Sequence, residues 1–169
     1  ENVVRQTFGQ YESLINNFAK TSIEKFGMSE LSVKQFASRF QAMGVAMGFS
    51  QGKMTDMSIN LTKLTADMAS FYDVAQSDVA EDLQSIFTGQ TRPLRAYGLD
   101  LTQATLKEWA LTQGIEANFK TMTQAEKAML RYQYVMANTS AAQGDFARTA
   151  DTWHNQITML KENFKALGA

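Results

Sequence analysis

The chain of 169 residues carries a single histidine, His154, and no cysteine. An acyl-transfer triad would have to be built on that histidine, because a serine or threonine nucleophile needs a neutral imidazole to take its proton. Asp151 precedes His154 by about one helical turn, and Ser140 and Thr152 lie close in sequence. No nucleophile-elbow motif accompanies them. His154 therefore reads as a surface or half-buried side chain, and one histidine without cysteine argues against zinc.

The carboxylates offer little more. Glu81 and Asp82 are adjacent, and Glu108 and Glu126 fall on separate helical stretches. A glycosidase needs one acid with a raised pKa in a cleft and a second group across the sugar, and nothing in these spacings marks a cleft. Asp67, Asp73, Asp78, Glu81 and Asp82 form a run without lysine or arginine. Its spacing matches no calcium loop, so it reads as a solvated face. Arg92 and Arg95 flank the only proline, Pro93. Such a pair holds an anion or pairs with neighbouring acids, and Asp100 with the acidic run favours pairing. Glycine loops of the phosphate-cradling kind are missing. The expectation is a non-enzymatic chain with no catalytic residue, no cofactor and no metal ligand.

The elements that carry these residues are helical. Val4, Phe8, Tyr11, Ile15, Phe18 and Ser22 form one stripe of a helix over residues 3–26, widened by Leu14 and Ile23 and ended by Gly27. Ser32 with Gln35, and Leu31 with Phe36, have the spacing of a capping box and a hydrophobic staple for a second helix. Val33, Phe36, Phe40, Met43 and Met47 form its apolar face. Gly44, Gly48 and Gly52 repeat every fourth residue, a spacing that arises by chance or allows a close helix approach. A third helix from about Thr55 shows a heptad seam, Met57, Leu61, Leu64, Met68, Phe71 and Ala75, suited to pairing within the chain or between copies.

A fourth helix begins at Ser77 or Asp78, with Val79, Leu83, Ile86 and Phe87 inward. The stretch LQSIFTGQTRPLRAYGLDLT, residues 83–102, then reads as three helix boundaries in succession. Gly89 suits a helix C-cap, Pro93 a first turn and Gly98 a second C-cap, with Leu94 and Leu99 in contact across it. Thr102 suits the next N-cap, with Leu101 and Leu106 as staple. Helix 103–112 uses Leu106, Trp109 and Ala110 and stops at Gly114. Thr123 with Glu126 is a further capping box for a helix bearing Met129, Tyr132, Val135 and Met136, which either breaks at 138–140 or bends there and continues. Phe146, Ala150, Trp153, Ile157, Leu160, Phe164 and Leu167 give a last heptad seam.

Sixteen basic residues nearly balance seventeen acidic ones, so charge does not suggest nucleic acid. Ten methionines, eleven phenylalanines and one proline suit helices with adaptable packing faces. No signal peptide is visible and no apolar run reaches bilayer length. The expected fold class is all-α: about six to seven amphipathic helices, in a bundle or an elongated array with at least one hairpin and no sheet.

The order LQSIFTGQTRPLRAYGLDLTQATLKEWALTQG, followed by MTQAEKAMLRYQYVMANTSAAQGDFARTADTWHNQITMLKENFKALG, resembles a domain of bacteriophage and prophage tail tape measure proteins. The resemblance covers about residues 61–169. Residues 1–54 match only as generic helix, and residues 55–169 as the tape-measure-like part of a single segment. Its signature is Gly89, Pro93, Leu94, Tyr97, Gly98, Leu101, Gly144, Asp145, Phe146, Arg148 and Trp153. The resemblance implies a structural segment of a longer protein that helps set tail length and takes part in tail assembly and genome delivery. It implies a place in the tail tube lumen, or in the host cytoplasm during assembly. The implied partners are the chain itself, tube and tail-assembly chaperone proteins and, on ejection, the host membrane, with no specific nucleic acid and no small-molecule substrate. The alternative is a delivery module acting on a membrane or cell wall, suggested by the glycine-spaced second helix.

Overall fold

The computed structural model describes residues 2–143. They form eight α-helices and two 3-10 turns, with no strand among the described residues. The all-α expectation holds. The helices are α1 (Asn2–Phe8), α2 (Glu12–Phe26), α3 (Glu30–Ala46), α4 (Gln51–Tyr72), α5 (Gln76–Leu83), α6 (Ser85–Thr88), α7 (Gln103–Thr112) and α8 (Gln124–Ala137). The final seam over residues 146–167, His154, and the signature residues Gly144, Asp145, Phe146, Arg148 and Trp153 lie outside the described residues. The chain divides into two compact units, Glu1–Gln84 and Ser85–Ala169.

In the first unit the helix expected over residues 3–26 is broken. Gly9 takes a left-handed conformation (φ +55°), and a 3-10 turn, Gly9–Tyr11, separates α1 from α2. A Cβ at Gly9 would stand 2.7 Å from Gln51 Oε1, and Gln51 Nε2 donates to the Thr7 carbonyl at 3.3 Å. The break thus seats the side chain that opens α4. Val4, Phe8 and Ile15 remain buried against Ala37 of α3. Leu14 and Ile23, expected to widen the stripe, are exposed.

The start of α3 is shifted from its expected place. Ser29, not Ser32, is the N-cap, its hydroxyl accepting from the Ser32 N–H at 3.1 Å. Two overlapping serine patterns compete here, and burial decides between them. Capping at Ser29 puts Met28 and Val33 at the staple positions, and both are buried in one cluster with Ala19 and Ala66. Leu31, the staple residue of the other pattern, is 66% exposed.

Helices α3 and α4 form a hairpin closed by residues 47–50 and fastened by a buried amide. Gln41 is fully buried; its Nε2 donates to the Gln51 carbonyl at 3.0 Å and to Thr55 Oγ1 at 3.3 Å. Its Oε1 accepts from the Ser58 hydroxyl at 3.0 Å. Two of the spaced glycines also serve packing within this unit. A Cβ at Gly44 would overlap the Met54 thioether, and one at Gly52 would lie 2.7 Å from the Tyr11 hydroxyl. Gly48 has open space around it and a φ of +112° instead.

The α4 seam is buried at Met57, Leu61, Leu64 and Met68, but Phe71 is 55% exposed and Ala75 lies past the helix end. Thr55, Ser58, Thr62 and Thr65 are also buried, which no apolar period marks. The threonines donate back to the preceding turn, to the carbonyls of Gln51, Ser58 and Leu61 at 2.7–2.8 Å. Hydroxyls satisfied by their own helix can enter a core at little cost. Helix α5 starts at Gln76, ahead of the expected Ser77 or Asp78, and buries Val79 and Leu83.

Candidate functional site

In the second unit, α6 is a single turn with Ile86 and Phe87 buried. Gly89 follows at φ +80°, and its N–H donates to the Ser85 carbonyl at 2.9 Å. Pro93 sits in the first turn of a 3-10 helix, Arg92–Tyr97, which Gly98 closes at φ +76°. The Gly98 N–H donates to the Arg95 carbonyl and the Leu99 N–H to that of Leu94. Leu94, Tyr97, Leu99 and Leu101 are buried. The signature residues of this stretch are thus two left-handed caps, one pre-set turn and buried side chains. Beyond its chain neighbours, nothing lies within 4 Å of a Cβ built at Gly98, so the cost of a side chain there is conformational. Gly98→Ala should cost about 1–2 kcal/mol, and Gly98→Val more, because a β-branched residue fits a positive φ worst. Pro93→Ala should change the melting midpoint little, since the ring is exposed in a first turn. Thermal melts of the three variants check that order.

Helix α7 spans the expected residues because its signals are local. Thr102 Oγ1 accepts from the Thr105 N–H, and Gly114 (φ +75°) follows the last turn. Asp100 corrects an expectation. Its Oδ1 accepts from the Thr102 N–H at 3.0 Å and its Oδ2 from the Thr105 hydroxyl at 2.8 Å. The carboxylate is engaged at the start of α7, and Arg95 adds only a weak through-space attraction. The backbone bond from Thr102, then the hydroxyl of Thr105, hold its pKa below the ordinary carboxylate value. A depressed carboxylate pKa stabilises the fold above the unfolded-state value and loses that contribution as pH falls through the folded value. Asp100→Ala should therefore be less stable than the parent at neutral pH, and the gap should close in acid. Paired melts across that range measure it.

The other acids singled out in the sequence have separate places. Glu126 completes the capping box of α8: its carboxylate accepts from the Thr123 N–H at 2.8 Å while Thr123 Oγ1 accepts from the Glu126 N–H at 3.1 Å. Glu81 and Glu108 are exposed, in different units. Among the described residues no group of three or more histidine or acidic side chains is arranged to hold a metal.

The structure does gather residues that sequence reasoning left apart. Lys127 and Arg131, one turn apart on α8, face Gln103 at the start of α7 and Phe119 of the 115–122 connection across a cleft of about 240 Å³. Leu101, Leu106 and Gly89 complete its wall. Arg131 Nη1 donates to the Ile86 carbonyl at 2.9 Å, which ties α8 to the end of α6. A Cβ at Gly89 would stand 3.1 Å from Arg131 Nη2, so Gly89 serves both the cap and the arginine. Burial disfavours the charged form of this guanidinium. The spacing of Lys127 and Arg131 was visible in the sequence; the approach of Gln103 and Phe119 has no sequence signal. No protein-family model, curated protein or solved structure matches the chain.

Proposed function

We propose that the chain is a structural segment of a bacteriophage tail tape measure protein, contributing to tail length determination, tail assembly and genome delivery. The supporting observation is how the distinctive residues are used. Gly89, Pro93, Leu94, Tyr97, Gly98 and Leu101, which carry the resemblance, all serve to turn and pack a helical corner. In this reading the segment is non-enzymatic, lies in the tube lumen, and works with its own copies, tube subunits and assembly chaperones.

The folded-back α3–α4 hairpin sharpens the test. At 1.5 Å per residue, a continuous helix of this length would span about 250 Å. A segment that keeps its hairpin contributes much less. In-frame deletion should shorten tails, measured by electron microscopy, by well under that distance. Shortening by the full span would mean that the segment extends inside the tube, and unchanged tail length would refute a ruler role. The alternative reading, a delivery module acting on a membrane or cell wall, draws on the glycine-spaced second helix, in which Gly44 and Gly52 serve contacts within the first unit. Among the described residues no helix is long and apolar enough to cross a membrane.

A further inference from the structure

Among the described residues, the cleft between α7 and α8 holds two cations and no carboxylate in its wall. Like charges one turn apart on a helix repel. Lys127 and Arg131 share this half-enclosed space, and no described carboxylate forms an ion pair with either. The nearest acid in sequence to the α7 side, Asp100, is engaged by Thr102 and Thr105. Arg131 is half-buried, and the Ile86 carbonyl occupies only one of the five N–H donors of a guanidinium. The first turn of α7, entered at Gln103, adds the partial positive charge of a helix N-terminus to the opposite wall.

Polar atoms make up most of the exposed lining, and Leu101, Leu106 and Phe119 contribute the smaller apolar share. A cleft of about 240 Å³ is larger than a bare tetrahedral oxyanion needs. Two cations on one wall of a cleft suit an organic acid, whose planar carboxylate matches the donors of an arginine fork.

We infer that this cleft binds the carboxylate of an organic acid, held by Lys127 and Arg131 and flanked by Gln103. The carboxylate comes from a free small organic acid or from a glutamate side chain presented by a partner chain; the chemistry is the same. The site stands independently of the tape measure reading.

The test is a titration of the isotope-labelled full chain with glutarate at constant ionic strength, followed through backbone amide resonances. Saturable shifts at Gly89, Gln103 and Lys127 with a millimolar midpoint are expected. Lys127→Gln should weaken binding about tenfold and Lys127→Arg should retain it, both with unchanged melting midpoints. Arg131 is kept intact because its bond to Ile86 supports the fold. A capped peptide bearing one glutamate, compared with its glutamine counterpart, separates the sources. Tighter binding than glutarate assigns a partner side chain, and equal or weaker binding assigns a free acid. The inference is overturned if neither probe gives saturable shifts, if inorganic phosphate or chloride reproduces them, or if Lys127→Gln binds as the parent does.

Discussion

Gly44→Val is expected to lower the stability of the first unit by about 3 kcal/mol, the upper part of the usual range for overpacking a filled core. For a unit of this size that corresponds to a fall of roughly 10–20 °C in melting midpoint. Helix propensity alone gives the opposite sign for a smaller change, since glycine inside a helix costs about 1 kcal/mol relative to alanine. Packing overrides propensity because a Cβ at Gly44 would overlap the side chain of Met54, which is itself completely buried. Met54 cannot swing aside without displacing its neighbours. The double variant Gly44→Val/Met54→Ala tests the cause: the two changes should be less damaging together than their sum, because the second vacates the space the first requires. Additive losses in chemical denaturation would show that Met54 is not the obstacle.

The second large effect is a pair of identical substitutions with opposite outcomes. Gln41 and Gln133 are both buried glutamines, the first fully buried and the second 1% exposed. Every polar atom of the Gln41 amide is bonded, to Gln51, Thr55 and Ser58. Neither Oε1 nor Nε2 of Gln133 has a hydrogen-bond partner among the described residues. Methionine has nearly the same shape and lacks the amide. Gln41→Met should therefore cost about 1–3 kcal/mol, because it strands the groups that Gln41 satisfies. Gln133→Met should gain about 1–2 kcal/mol, because it removes two buried polar atoms that are already stranded. Urea unfolding of both variants reads the signs directly. A loss at Gln133 would mean that its amide is engaged in solution.

What the sequence made legible follows the range of the interactions. The bounds of α7, the Thr123–Glu126 box and the stops at Gly27, Gly98 and Gly114 depend on residues a few positions apart, and all are found where expected. Ser29 displaced Ser32 as a cap because Met28 had a pocket to fill, which only the neighbouring helices define. The second buried face of α4 escaped notice because serine and threonine count as polar in any periodic pattern, yet bond within their own helix once inside. The lysine–arginine cleft escaped because it joins a helix start, a connection and a helix face that chain order keeps apart. Gln133 shows the remaining limit: an amide on a helix reads as surface until neighbours close over it.

The Gln41 fastening has a mechanical consequence. Its partners, Gln51, Thr55 and Ser58, lie at the end of the hairpin next to the 47–50 connection. Tension applied to the chain at the start of α3 and the end of α4 pulls from the open end, so the pair peels turn by turn instead of shearing as a whole. The apolar seam at Met68, Leu64 and Leu61 yields first, and the amide cluster by the connection yields last. The Gln41 cluster, with the Gly44–Met54 contact beside it, is therefore the last part of the hairpin to open under such a pull.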